Sequence, residues 1–100
     1  MSDETIFALS SGGTRAGIAV VRLSGPGAAG ALSHLTGAAP PAARRMSRAT
    51  FCDPKSGETI DQGLAVWFPA PASFTGEDVA ELHVHGGRAV VGAVLDALAA

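Results

Sequence analysis

The segment Val79–His85 (VAELHVH) most constrains what this chain can fold into, because its apolar and polar side chains alternate. Successive side chains of a strand point to opposite faces. Ala80, Leu82 and Val84 therefore share one face, and Val79, Glu81, His83 and His85 share the other. Ile18–Ser24 (IAVVRLS) is β-branched and bounded by turn residues, which predicts a second strand. There Ile18, Val20, Arg22 and Ser24 lie on one face, opposite Ala19, Val21 and Leu23. Both strands thus carry charged or polar groups on one side only.

The remaining elements follow from punctuation. Residues 6–9 read as a short strand, and residues 10–15 (SSGGTR) as a flexible glycine-rich loop. Ser24-Gly25-Pro26 predicts a helix start, with Ser or Gly as cap and Pro in the first turn. That helix runs to about Leu35 and stops at Gly37. Residues 38–46 form a loop with a Pro-Pro stop, and Arg44, Arg45 and Arg48 form a small basic cluster in solvated loop. Residues 49–52 are a strand, 53–57 (DPKSG) a turn, and 58–60 the return strand of that hairpin. Residues 63–68 (GLAVWF) form a separate strand. Gly86-Gly87 breaks the strand that follows, and residues 88–100 are a helix, with Val90, Val91, Val94, Leu95 and Leu98 on one face. The expected fold class is α+β: one domain with a mostly antiparallel sheet of about five strands, two helices and one helical crossover.

Composition bounds the class. Of 100 residues 47% are apolar, but 20 are alanine and 13 are glycine. A fully buried Leu or Val contributes roughly 1.5–3 kcal/mol, so so light a core predicts support from a twin subunit or from further sequence. The last helix reaches Ala100 without a C-cap signal, which also predicts a longer protein. Charged residues at 16% argue against disorder. No apolar run is long enough for a membrane span, and Met1-Ser2-Asp3-Glu4 lacks the bases of a signal peptide. A single Cys52 cannot staple the domain, so the expected compartment is the cytoplasm. A net charge of −2 leaves no electrostatic footprint for nucleic acid.

Three chemical readings stay open on the polar strand faces. Arg22 is either an outward-snorkelling side chain on an edge strand or a planar fork that anchors an anionic or carbonyl group. Glu81, His83 and His85 at period two are a solvated face, a metal site, or a carboxylate that accepts paired N–H groups of a ligand. His85 can instead serve the turn at Gly86-Gly87. Glu77 and Asp78 read as turn and capping residues, with a weak capping box at Thr75 and Asp78. No phosphate-binding loop and no nucleophile elbow is present, so no catalytic residue is expected in this chain.

Asp3-Glu4-Thr5-Ile6-Phe7-Ala8, Gly17 to Pro26 (GIAVVRLSGP), Asp61-Gln62-Gly63 and Ser73 to Gly87 (SFTGEDVAELHVHGG) together resemble the N-terminal domain of the MnmE (TrmE) family of tRNA-modification GTPases. The loop at residues 11–16 departs from the family's usual run. The resemblance implies a domain similar to tetrahydrofolate-binding one-carbon enzymes, spanning residues 1–100, that forms a homodimer. It implies binding of 5-formyl-tetrahydrofolate or a related tetrahydrofolate, with Arg22 and Glu81 as the folate-contacting residues. It further implies a parent protein with helical and GTPase portions outside this chain, where GTP, magnesium and potassium bind. With a flavoprotein partner of the MnmG family, that parent modifies C5 of the wobble uridine of tRNA. This chain alone is expected to have no GTPase activity. The alternatives are a metal-binding domain on Glu81, His83 and His85, or a purely structural dimerisation domain.

Overall fold

The computed structural model describes residues 5–11, 17–70 and 76–99. Five strands and two helices follow in the order β1 (Ile6–Ser11), β2 (Ile18–Ser24), α1 (Ala28–Thr36), β3 (Ser47–Cys52), β4 (Thr59–Phe68), β5 (Val79–His85) and α2 (Arg88–Ala99). The sheet order is β1-β2-β5-β4-β3, and each neighbouring pair is antiparallel. This is the expected α+β class. The crossover through α1 carries the chain from β2 to the far edge of the sheet. The β3–β4 hairpin then leads back, and β5 fills the slot between β2 and β4.

Both helices cover the same sheet face. Ala28, Leu32 and Leu35 of α1 recur at one-face spacing and are buried, as are Val91 and Val94 of α2. They close on Ala19, Val21 and Leu23 of β2, Ala80, Leu82 and Val84 of β5, Ala65 of β4 and Phe51 of β3. The apolar sides of the two alternating strands are therefore the core, as their pattern requires. The opposite sides, with Arg22 and Glu81, lie on the sheet face away from the helices.

Four boundaries differ from the sequence reading. The strand expected at residues 6–9 continues through Ser11 as β1, with a register irregularity between Leu9 and Ser11. Residues 12–15 of the expected loop, and Ser73, Phe74 and Thr75, the last of them the first residue of the expected capping box, lie outside the described residues. The first helix begins at Ala28, not at Pro26. Ser24 still pairs with Ile6 and Val79, and Gly25 takes φ 137° to break the strand, so Gly27 becomes the N-cap. Glycine has no capping side chain. The hydroxyl of Thr5, just before β1, accepts the Gly27 N–H at 2.6 Å and so holds the start of the helix. Gly37 ends the helix as expected, at φ 68°.

The third difference is β4, a single ten-residue strand where the sequence suggested two pieces. The polar Asp61-Gln62-Gly63 looks like an interruption but pairs with Phe51, Thr50 and Ala49 of β3. A Cβ on Gly63 would strike the His83 carbonyl oxygen, so glycine here serves close approach of two strands rather than a turn. The hairpin turn before it is built as expected. The Asp53 carboxylate accepts the Lys55 N–H at 2.8 Å, the Asp53 carbonyl accepts the Gly57 N–H at 2.7 Å, and Gly57 sits at φ 77°. Fourth, β3 starts at Ser47, so Arg48 is on a strand and not in the basic loop.

Candidate functional site

Arg22 of β2 and Glu81 of β5 stand directly opposite each other in the antiparallel register. Cross-strand partners on one face are within side-chain reach. The Arg22 guanidinium donates from Nε at 3.0 Å and from Nη2 at 2.7 Å, both to Glu81 Oε2. His83 is two residues along β5 on the same face. Its Nε2 lies 3.2 Å from Glu81 Oε1 and donates there when it carries the ring proton. On the other flank of Glu81, the register partner is the buried Val66 of β4. The carboxylate is thus set between a cation, an imidazole and an apolar neighbour, with only 8% of the residue exposed.

This burial bears on two of the open readings. β2 is an interior strand, flanked by β1 and β5, so Arg22 is not an edge residue snorkelling into solvent. Its side chain is 39% exposed, and the Glu81 side chain 11%. A buried carboxylate with charge-assisted partners is not a solvated sheet face. The metal reading is corrected by the same geometry. His85 turns away from Glu81 and joins Asp61 of β4: its Nδ1 lies 2.8 Å from Oδ1 and 3.1 Å from Oδ2. The backbone N–H of His85 donates to Asp61 Oδ2 at 2.9 Å. Among the described residues no group of three His, Cys, Asp or Glu side chains is placed to hold a metal ion. His85 serves the end of β5, next to Gly86, whose N–H donates to the Gly17 carbonyl at 3.1 Å. Asp78 is a turn residue as expected, accepting the Ala70 N–H at 2.8 Å.

The resemblance put Arg22 and Glu81 at one ligand, but nothing in the sequence foretold their direct ion pair across 59 positions. Asp61 was visible only within a short motif, and nothing in the sequence tied it to His85. Two depressions of about 460 and 430 Å³ lie along β3, lined by residues such as Arg48, Thr50 and Leu64, and Thr36, Pro41 and Ala65. Neither includes Arg22 or Glu81, and neither carries a comparable set of charged partners. The chemistry of the sheet face is the stronger guide to the site.

A family model described as the N-terminus of the GTP-binding protein TrmE matches residues 5–100. The chain belongs to the TrmE N-terminal family. A tRNA modification GTPase MnmE of Parvibaculum lavamentivorans is 60% identical over 95 residues, covering 95% of this chain and 22% of its own length. The protein of that name from Rhizobium meliloti is 55% identical over 100 residues, covering 100% of this chain and 22% of its own. A mitochondrial 5-taurinomethyluridine-tRNA synthase subunit of Homo sapiens is 58% identical over 100 residues, covering 97% and 20%. The chain therefore spans about a fifth of the length of the curated relatives it matches. The α+β sheet with two helices is the fold of this TrmE-type domain here. No helix among the described residues is long and apolar enough to cross a membrane.

Proposed function

We propose that this chain is the folate-binding and dimerising module of a tRNA-modification GTPase. The observation that carries the reading is the Glu81 carboxylate, buried on the sheet face and held beside Arg22 within the TrmE-type motifs. A tetrahydrofolate presents a pterin amino group and ring N–H as paired donors, and a fixed carboxylate is their natural acceptor. The half-exposed Arg22 fork suits the carbonyl, one-carbon or carboxylate groups of the same ligand. The donor set thus fits 5-formyl-tetrahydrofolate or a relative, bound by Arg22 and Glu81 in a homodimer of this domain. The folate supplies a one-carbon unit when bound.

The whole protein would add helical and GTPase portions that bind GTP, magnesium and potassium. With a flavoprotein of the MnmG family it would modify C5 of the wobble uridine of tRNA in the cytoplasm. The names of the relatives, as tRNA-modifying GTPases and synthase subunits, support this reading. The chain itself would hydrolyse no GTP.

Calorimetric titration with 5-formyl-tetrahydrofolate tests the site. Hydrogen bonds to a charged group contribute about 1.5–3 kcal/mol, so Glu81→Ala is expected to weaken binding roughly 10- to 150-fold. Equal affinity for wild type and Glu81→Ala overturns the assignment. A dimer by sedimentation with no folate binding would instead favour the purely structural alternative.

A further inference from the structure

We infer that His83 is a positioning residue for the Glu81 carboxylate, and that Arg22 is the partner that yields when a ligand binds. The inference rests on the folate reading, in which Glu81 accepts from a ligand carrying two neighbouring N–H donors. A carboxylate offers about four lone-pair positions, two on each oxygen. Among the described residues, Arg22 fills both positions on Oε2 and His83 fills one on Oε1. A ligand with paired donors needs one position on each oxygen. Oε1 still offers one. Oε2 offers one only after an Arg22 bond is given up.

The two partners differ in how readily they move. The Arg22 side chain is 39% exposed and long, so its released N–H groups can reach solvent or the ligand itself. The His83 side chain is 20% exposed and short, with two side-chain torsions, and its register neighbours are Val20 and Leu64. It also lies on the same strand as Glu81, so their spacing of about 6.6 Å along the strand is fixed by backbone geometry. His83 is thus the rigid bond that keeps Oε1 in place while Arg22 exchanges. Only a ring that carries a proton on Nε2 can do this, because an unprotonated nitrogen cannot donate to a carboxylate.

Two readouts test the inference. In ring-¹⁵N NMR of the ligand-free protein, His83 is expected as the Nε2–H form, and Glu81→Leu is expected to remove that preference. In titration with 5-formyl-tetrahydrofolate, His83→Ala is expected to weaken binding about tenfold, and His83→Gln, which restores an N–H donor, to recover to within about threefold. Wild-type affinity in His83→Ala, or an Nδ1–H tautomer in wild type, overturns the inference. If wild type binds no folate, the folate reading fails, and the tautomer and its response to Glu81→Leu alone decide the role of His83.

Discussion

Two carboxylates on neighbouring strands each hold a histidine of β5, and they do different work. Glu81 draws its donors from two residues on two strands, Arg22 and His83. Asp61 draws its described donors from one residue, taking both the backbone N–H and the ring of His85. Both acid side chains are 11% exposed. Burial alone therefore does not separate them. What separates them is where the cation can go. Beside Glu81 stands a guanidinium that can be shared with a ligand. Asp61 closes a strand end through the ring and the backbone N–H of His85. On the proposed function, the Glu81 cluster, whose partners can be exchanged, takes the ligand, and the Asp61 cluster, which satisfies backbone, is a clasp.

The largest expected effect comes from breaking the Glu81 cluster on its cationic side. Arg22→Met removes the charge that balances a buried carboxylate. Breaking a buried pair from one side typically costs about 3–5 kcal/mol, and the exposure of Arg22 places this site at about 3 kcal/mol. The double change Arg22→Met with Glu81→Leu is expected to recover most of that, because no unpaired charge is left behind. Urea unfolding of the wild type and the variants measures it. If Arg22→Met leaves the midpoint unchanged, Glu81 is better solvated than its burial indicates, and the contrast with Asp61 collapses.

How much of this was readable follows from the range of each interaction. Alternation is local, so IAVVRLS and VAELHVH declared their core faces and their polar faces directly. The hairpin turn at Asp53 to Gly57 and the stop at Gly37 were equally local. Pairing of Arg22 with Glu81 needed the strand order, which depends on a crossover that no short window contains. The helix start was misplaced for the same reason: its N-cap residue, Gly27, is held by Thr5, 22 positions away. Glu-x-His-x-His suggested one cluster because period two places its side chains on one face. The end of a ladder relaxes that rule, and Asp61 took His85 out of the set.

Gly63 links the two clusters, two positions after Asp61 and pressed on the His83 backbone. Gly63→Ala puts a methyl where the His83 carbonyl stands, so β4 and β5 must separate locally. Overpacking of this kind costs about 1–3 kcal/mol. It should also disturb His83, and through it the aim of Glu81. The expected outcome is a lower thermal midpoint together with changed ¹⁵N signals of the His83 ring but not of the His85 ring. Equal disturbance of both histidines would mean that the clasp and the binding cluster move as one body.

The smallest effects isolate the clasp. Asp61→Ala removes the acceptor for both the ring and the backbone N–H of His85, and should cost about 1–2 kcal/mol. His85→Ala keeps the backbone bond and loses only a ring that is 72% exposed, so it should cost about 0.5 kcal/mol or less. Glu81 and His85 are four positions apart on one strand, a separation of about 13 Å, and sites that distant behave independently. Neither change should therefore alter affinity for 5-formyl-tetrahydrofolate by more than about twofold. Urea midpoints and a folate titration of the two variants check this together. Should His85→Ala destabilise as much as Asp61→Ala, the ring and not the strand end is what Asp61 holds. Should either weaken folate binding tenfold, the ligand reaches along β5 to His85, and the clasp is part of the site.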